Sequence, residues 1–150
     1  MAERTPATEA YFQQLGLDEP YDVWAFGDSP ALADSLLALV LGGTKTATCG
    51  LLWELGTPMS PPPVLGGYSV ILDSTGAPRA VLQTISLRTM PFSAVPEDFA
   101  LAEGEGTYAE WRKLHWDYFV RRCTEIGKEP SDDMPVVCER FRVVFPPQPE

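Results

Sequence analysis

The stretch Gly42-Gly43-Thr44-Lys45-Thr46-Ala47-Thr48-Cys49-Gly50 lies between two apolar segments, a leucine-rich one before it and a shorter one after it. Its glycines are predicted to end a helix and its threonines to begin a strand, which indicates mixed α and β structure. The lysine is isolated, because no other Lys or Arg occurs between Arg4 and Arg79. Flanking glycines and threonine hydroxyls favour a small polar site around Lys45. The alternative is a solvated lysine that offsets a helix dipole.

The composition predicts one globular domain. The chain has 150 residues, of which 45% are hydrophobic and 21% charged, so it can bury a core without disulfides. The N-terminus lacks the apolar segment of a secretory signal, and the longest apolar run, residues 36–41, is too short to span a bilayer. We therefore expect a cytoplasmic protein without a membrane partner.

The net charge of -10 and the sequence pI near 4.5 bear on possible partners. Such a chain repels polyanions, so long duplex DNA is not expected as a ligand. A short RNA strand or a single nucleoside stays possible. Most of the positive charge falls in the last forty or so residues, where it could form a local basic face.

Cysteine and histidine usage argues against a metal centre. Cys49, Cys123 and Cys138 lack the Cys-x-x-Cys spacing of zinc sites and are expected to be reduced. His115 is the only histidine, and its spacing from Trp111 is typical of a core residue. A single histidine excludes a multi-histidine metal centre, whereas magnesium bound by carboxylates stays possible. No cofactor is predicted.

Periodicity and turn residues predict an α+β domain. Three helices are predicted: residues 8–15, a helix begun by Ser29 and Pro30 and ended by Gly42 or Gly43, and residues 107–126 with a capping box. The predicted strands are residues 22–26, 46–55, 68–73, 79–90 and 135–145, with the third and fourth forming a hairpin. Residues 58–63 are expected to form an extended connection.

The alternation of side chains along a strand and two nearby glutamates determine which residues can form the candidate site. Positions three apart on a strand face opposite sides, so Lys45 and Thr48 can share a site only if Lys45 lies in the loop, as we expect. Glu103 and Glu105 stand between glycines just before the capping box. One of them could act as a base beside the lysine, or both could merely favour the helix start.

Two further patterns have simpler interpretations. Glu139 and Arg140 are interpreted as an ion pair at a strand edge, which contributes little when exposed. Cys49 could act as a nucleophile, but only Lys45 would supply a nearby positive charge.

With these residues in view, the chain resembles the ASCH family, the small proteins homologous to a domain of the activating signal cointegrator, and within it the longer bacterial branch. The resemblance is carried by Trp24-Ala25-Phe26-Gly27-Asp28-Ser29, Gly43-x-Lys45-x-x-Thr48, Glu103-Gly104-Glu105-Gly106, Trp111-Arg112, His115 and Cys138-Glu139-Arg140-Phe141. It implies a PUA-like fold, a small mixed or antiparallel β-barrel with flanking helices, over residues 21–146. Residues 1–20 would form a helical extension packed on this domain, and residues 147–150 a tail.

The resemblance also implies an RNA-related ligand in a cleft beside the Gly-x-Lys-x-x-Thr segment. A short branch of the family deacylates acetylated cytidine with a Lys, a Thr and a Glu, and other members are reported as ribonucleases. By motif, these residues would be Lys45, Thr48 and Glu103, with Glu105 competing for the last role.

Two functions follow from these considerations. The favoured one is binding of RNA or a nucleoside, with contacts from Gly43, Trp24, Tyr68, Glu105, Arg112 and Arg140. The alternative is an enzyme, either an amidohydrolase in which Thr48 attacks and Lys45 accepts its proton, or a ribonuclease. A neighbouring glutamate opposes the low lysine pKa that this amidohydrolase needs.

Overall fold

A computed structural model describes residues 3–55 and 61–148. The strands are β1 (Tyr21–Trp24), β2 (Ala47–Leu51), β3 (Tyr68–Leu72), β4 (Pro78–Pro91) and β5 (Pro135–Phe145). In the described residues they form one sheet in the order β1-β3-β4-β5-β2, in which only the β1–β3 pair is parallel. Residues of both edge strands, β1 and β2, line the same cleft.

Four α-helices flank the sheet: α1 (Pro6–Gln13), α2 (Pro30–Leu41), α3 (Glu97–Ala102) and α4 (Tyr108–Ile126). The predicted capping box opens α4, because the Thr107 hydroxyl accepts from the Glu110 amide at 3.2 Å and the Glu110 carboxylate accepts from the Thr107 amide at 3.0 Å. Gly127 ends this helix in the left-handed conformation, with φ of 71°. The helix is therefore fixed at both ends by its own sequence.

The main core lies between α4 and the sheet. Trp111 and Phe119 on α4 are fully buried, and Phe92, at the end of β4, stacks on Trp111 with ring centroids 5.7 Å apart. On another part of the sheet, Phe12 of α1 stacks on Tyr21 of β1 at 4.4 Å. Each buried aromatic side chain of this size removes about 150 to 250 Å² from water, which holds both helices against the sheet.

Two features differ from the sequence-based expectation, and a third is only partly described. The strand predicted for residues 46–55 ends at Leu51 and continues as a 3₁₀ turn, Leu52–Glu54, because Glu54 turns inward to bind Arg122 at 2.6 Å. Helix α3 was not predicted, since Pro96 at its start supplies no capping side chain. Of the extended connection predicted over residues 58–63, residues 58–60 lie outside the described part of the chain.

No helix in the described ranges combines the length and the hydropathy needed to cross a membrane.

Candidate functional site

The Lys45 side chain is buried in a cluster of charged groups. Its Nζ donates to Oε1 of Glu103 at 2.9 Å and to Oε2 of Glu105 at 3.1 Å. As predicted, Lys45 lies in the loop between α2 and β2, and its backbone amide donates to the carbonyl of Leu39 at 3.0 Å. The end of α2 therefore fixes the backbone from which the ammonium reaches the glutamates.

Close packing of two loops brings Glu103 to the lysine. The Thr46 amide donates to the Ala102 carbonyl at 2.8 Å. Gly104 has φ of 71°, and a Cβ there would lie 2.8 Å from the Thr44 carbonyl oxygen. Only glycine fits such a position, since a side chain would be both strained and in collision with backbone. Gly104 is thus required for the close approach that brings Glu103 to Lys45.

Two side chains of α4 complete the cluster. Trp111 Nε1 donates to Oε2 of Glu103 at 2.7 Å. His115 Nε2 lies 3.3 Å from the same oxygen and 3.8 Å from Oε2 of Glu105. The other ring nitrogen, Nδ1, lies 3.0 Å from the Trp111 carbonyl. His115 is therefore part of the site and not only a core residue, and its i+4 spacing from Trp111 is the signal that relates the two.

The electrostatics of the cluster favour its ionised form. Burial alone would lower the pKa of Lys45, but the carboxylates of Glu103 and Glu105 outweigh this effect and raise it. Burial would likewise raise the pKa of Glu103, yet Lys45 and His115 lower it to about 2. The same carboxylates raise the pKa of His115 against the effect of burial. Lys45 is therefore a hydrogen-bond donor near neutral pH and not a base.

The cluster lines one lobe of a cleft. This lysine lobe encloses about 410 Å³ and includes Lys45, Glu105, His115 and Thr48 in its wall. Phe26 also lines it, with its ring centroid 5.7 Å from the Lys45 nitrogen. Because Lys45 lies in the loop and Thr48 on β2, both reach the same cavity.

A second lobe lies between the edge strands. This strand lobe encloses about 120 Å³, and its wall includes Trp24 of β1, Ser69 of β3 and Glu139 of β5. The two lobes share lining residues: Phe26, Gly27, Thr48, Cys49 and Tyr118. Thr48 therefore stands where the two lobes meet, with the lysine cluster on one side and Glu139 on the other.

The structure brings together five of the predicted site residues: Trp24, Lys45, Thr48, Glu103 and Glu105. It does not bring Gly43, Tyr68, Arg112 or Arg140 to the cleft wall. Gly43 follows the end of α2 with φ of 81°, so its role there is to turn the chain.

The other three residues point elsewhere for reasons of local geometry. Ser69 faces the cleft, so its strand neighbour Tyr68 faces away and packs on Phe12 with centroids 5.8 Å apart. Arg112 extends along α4 and donates to the Tyr108 hydroxyl at 3.0 Å. Arg140 lies on the opposite face of β5 from Glu139, which lines the cleft.

The predicted ion pair between Glu139 and Arg140 is wrong for the same reason. Arg140 instead binds Asp98 at 3.3 Å, and Glu139 accepts a hydrogen bond from the Thr84 hydroxyl at 2.5 Å. Neighbouring residues of a strand point to opposite faces, so they cannot pair directly. Alternation along β5 was the sequence signal that could have excluded this pair.

Cys49 is not an activated thiol. It lies directly opposite Cys138 in the β2–β5 register, and burial raises its pKa well above the usual range. Because the thiolate is the reactive form, a thiol held neutral is a poor nucleophile. Among the described residues that line both lobes, Thr48 then carries the only aliphatic hydroxyl, and Tyr118 carries a phenol.

The cleft has an excess of negative charge. Apart from His115, three cationic side chains among the described residues line its lobes, and each binds a carboxylate: Lys45 as above, Arg121 with Asp28 at 2.9 Å, and Arg122 with Glu54 at 2.6 Å. The carboxylates that line the cleft in the described part of the chain number seven: Asp22, Asp28, Glu54, Glu103, Glu105, Asp117 and Glu139. The negative charge therefore exceeds what these cations can neutralise.

Comparison with known proteins identifies the family to which this geometry belongs. A family model described as the ASCH domain matches residues 22–145. The chain belongs to the ASCH domain family. Members of this family are associated with RNA binding. No curated protein matches the chain at a significant level.

Solved structures confirm the predicted α+β, PUA-like fold. An Enterococcus faecalis protein is 35% identical, with a TM-score of 0.80 and coverage of 91% of this chain and 84% of that chain. An ASCH domain from Lactobacillus crispatus is 29% identical, with a TM-score of 0.79 and coverage of 92% and 91%. A ZmASCH variant from Zymomonas mobilis, 12% identical with a TM-score of 0.51 over 81% and 68%, shares the fold alone.

Proposed function

We propose that this ASCH protein binds a nucleoside, without phosphate groups, in the cleft formed by the lysine lobe and the strand lobe. The observation that carries the proposal is the buried Lys45–Glu103–Glu105 cluster, which lines a cavity of about 410 Å³ together with Thr48. A cavity of this size suits a small organic ligand. Titratable groups with strongly perturbed pKa values on a cavity wall are typical of functional sites.

The lining suits a planar, partly polar ligand. Trp24 and Phe26 contact each other edge to face, with ring centroids 4.7 Å apart, and line the cleft. Aromatic rings of this kind stack on nucleobases irrespective of their sequence. The Lys45 ammonium and the Thr48 hydroxyl supply donors for ribose or base oxygens. The combination of an apolar wall and a few polar groups fits a nucleoside.

The charge of the cleft favours a ligand without phosphate. Seven carboxylates line the two lobes, and the three cations there are already paired with some of them. A phosphate group would enter a region of negative potential with no unpaired cation of the lining to receive it. A nucleoside has no charge to oppose. We therefore favour the nucleoside over a nucleotide or an RNA strand.

Isothermal titration calorimetry with matched ligands tests the proposal. Nucleosides, their 5′-monophosphates and short single-stranded RNA are compared at low and physiological salt. We expect nucleosides to bind at least about tenfold more tightly than their monophosphates, a difference of about 1.4 kcal/mol. Binding of RNA in preference to nucleosides, with an affinity that rises steeply as salt is lowered, would overturn the proposal and indicate a strand-binding module.

A second candidate function is hydrolysis of an amide on such a nucleoside. It is favoured by the presence of Thr48, a charged Lys45 and the partly exposed Glu105 in one lobe. The Thr48 oxygen would attack the acyl carbon while its proton passes to the Glu105 carboxylate, and the Lys45 ammonium would stabilise the oxyanion. The amine would leave with that proton. Water would then cleave the threonyl ester and release the carboxylic acid.

This assignment differs from the version in which Lys45 is the base, because the raised pKa of Lys45 keeps its amine protonated near neutral pH, so that it cannot accept the proton of Thr48. Release of acetate from acetylated cytidine measures the activity. We expect turnover by the wild-type protein and none by T48V. Equal turnover by both proteins would exclude Thr48 as the nucleophile.

A metal-assisted ribonuclease is less well supported. Glu103, Glu105 and His115 have ligand atoms within 4.8 Å of one another. However, the Lys45 ammonium already lies 2.9 and 3.1 Å from the two carboxylates and neutralises them. A divalent cation would have to displace this ammonium from a buried site, which is unfavourable.

A further inference from the structure

We propose that Glu139 determines base specificity, because its free oxygen accepts a hydrogen bond from an N–H group of the ligand in the strand lobe. The protein should then prefer bases that carry an exocyclic amino group to those that carry a keto oxygen at the same position. This inference rests on the proposed function, since it assumes that a nucleoside occupies the cleft.

The first observation is the state of the Glu139 carboxyl group. The residue is 7% exposed, lies opposite Thr48 in the β2–β5 register and lines the strand lobe. Its Oε2 accepts from the Thr84 hydroxyl at 2.5 Å. Within residues 3–55 and 61–148, Oε1 has no hydrogen-bond partner. Because no fully buried side-chain oxygen or nitrogen in these ranges lacks a partner, Oε1 is not fully buried. We infer that it is accessible from the lobe that Glu139 lines.

The second observation is that no cation neutralises this carboxyl group among the described residues. Arg122, the cationic residue that lines the same lobe, binds Glu54. Burial, and then the charge of Asp22, raise the pKa of Glu139. A hydrogen bond to a carboxyl oxygen is strong where burial excludes water and no cation competes for that oxygen. The donor must come from the ligand, because the protein supplies none to Oε1.

The third observation is the shape of the lobe. Its volume of about 120 Å³ admits the edge of a planar ring and not a whole nucleoside. Trp24 lines the lobe and can contact the ring face, while Ser69 offers a second polar contact. The larger lysine lobe, joined to it at Thr48, has room for the rest of the ligand. The base edge therefore points towards Glu139.

The chemistry of the edge then decides the preference. An amino group donates to a carboxylate oxygen, whereas a keto oxygen placed there faces another acceptor and leaves both unsatisfied. Sites built around one polar contact reject the analogue that lacks it. A single base-edge contact is typically associated with discrimination of about tenfold or more.

Two matched ligand pairs test the inference by calorimetry: cytidine against uridine, and adenosine against inosine. In each pair the amino group of the first is a keto oxygen in the second. We expect the wild-type protein to bind the amino member at least about tenfold more tightly in each pair that binds. Equal affinities, or tighter binding of the keto member, would overturn the inference and leave the proposed function intact. Failure of all four nucleosides to bind would overturn the proposed function itself.

The variant E139Q sharpens the test. With the amide oxygen held by the Thr84 hydroxyl, the amide nitrogen takes the place of Oε1 and presents a donor to the lobe. We expect the preference for the amino member to be lost or reversed. E125Q makes the same change at an exposed residue of α4 and should keep the wild-type preference.

Thermal unfolding establishes that each variant is folded before ligands are compared. A folded E139Q protein that retains the amino preference would contradict the role of Glu139. If E139Q fails to fold, the wild-type comparison of the ligand pairs still decides the inference.

Discussion

The Nζ atom of Lys45 lies 2.9 Å from Oε1 of Glu103, and both side chains are 1% exposed. Two buried charges of this kind are costly to desolvate, and their attraction offsets the cost only when the remaining hydrogen bonds are made. Here Trp111 and Glu105 make those bonds. The pair therefore persists as a charged group at the cavity wall, from which the ammonium can act on a ligand.

The first prediction concerns Glu103. The variant E103Q keeps an acceptor for Trp111 but removes the carboxylate that is closest to Lys45. We expect it to lower the free energy of unfolding by about 3 kcal/mol, in line with the breaking of buried ion pairs. Urea denaturation at neutral pH measures this, with E125Q as a control that removes an exposed glutamate. A loss no larger than that of E125Q would contradict the structural role.

The pH dependence of stability supplies a second prediction for Glu103. Its pKa in the folded protein is lowered from 4.5 to about 2. A lowered pKa contributes stability above pH 4.5 that is lost as pH falls towards 2. Wild-type stability should therefore fall more steeply than that of E103Q over this range. Parallel curves for the two proteins, measured by urea denaturation at each pH, would contradict the lowered pKa.

Substitution of Glu105 is expected to reduce ligand binding or activity more than stability. Its side chain is 14% exposed and lines the lysine lobe, and its hydrogen bond is to Lys45. We expect E105Q to lower the unfolding free energy by only about 1 to 2 kcal/mol, less than E103Q. Ligand affinity or acetate release should fall at least tenfold. If E105Q leaves both unchanged while E103Q abolishes them in a folded protein, Glu103 is the functional glutamate.

His115 offers a direct measurement, because it is the only histidine in the chain. Glu103 and Glu105 raise its pKa above 6.5 despite burial. A raised pKa contributes stability that is complete below pH 6.5 and is lost as pH rises through the value in the folded protein. The NMR titration of the ring proton should therefore have a midpoint above 6.5, which E103Q lowers. A wild-type midpoint below 6.5 would contradict the contacts with the carboxylates.

The sequence predicted much of this site because its signals are local. Glycine spacing around Glu103 and Glu105, and the position of Lys45 before a strand, are consequences of backbone geometry within a few residues. The capping box at Thr107 likewise depends on four consecutive residues and was found as predicted. What local signals cannot supply is the partner of each group, which depends on how distant segments pack.

Tyr68 and Arg140 illustrate the limit. Alternation shows that each lies on the opposite face from its strand neighbour, but which face lines the cleft depends on the order β1-β3-β4-β5-β2. That order is set by pairing between segments far apart in the chain, such as β2 with β5. Glu139 was consequently interpreted as a surface ion pair, although it lines the cleft.

Removal of the lysine tests whether the cluster is held by its central charge. K45M leaves Glu103 and Glu105 close to each other without a cation between them. We expect a loss of about 3 to 5 kcal/mol in unfolding free energy at neutral pH. The stability of K45M should rise as pH is lowered, because protonation of one carboxyl group removes the repulsion between the two. T48V, a change of similar size at the cavity wall, should cost about 1 kcal/mol or less, because no hydrogen bond of the Thr48 side chain is present within the described residues. Equal destabilisation by both variants would contradict a central role for Lys45.

The close approach of the two loops leads to the last prediction, for Gly104. An alanine there would be strained at φ of 71° and would place its Cβ 2.8 Å from the Thr44 carbonyl oxygen. Gly16 has a similar φ of 68°, but a Cβ there meets no atom within 4 Å. G16A should therefore cost only the strain of the left-handed conformation, about 1 kcal/mol, whereas G104A adds a backbone collision of about 1 to 3 kcal/mol. G104A should also weaken ligand binding at least tenfold by displacing Glu103 and Glu105, and G16A should not. Equal effects of the two substitutions on urea denaturation and on binding would show that the packing of residue 104 against Thr44 does not position the site.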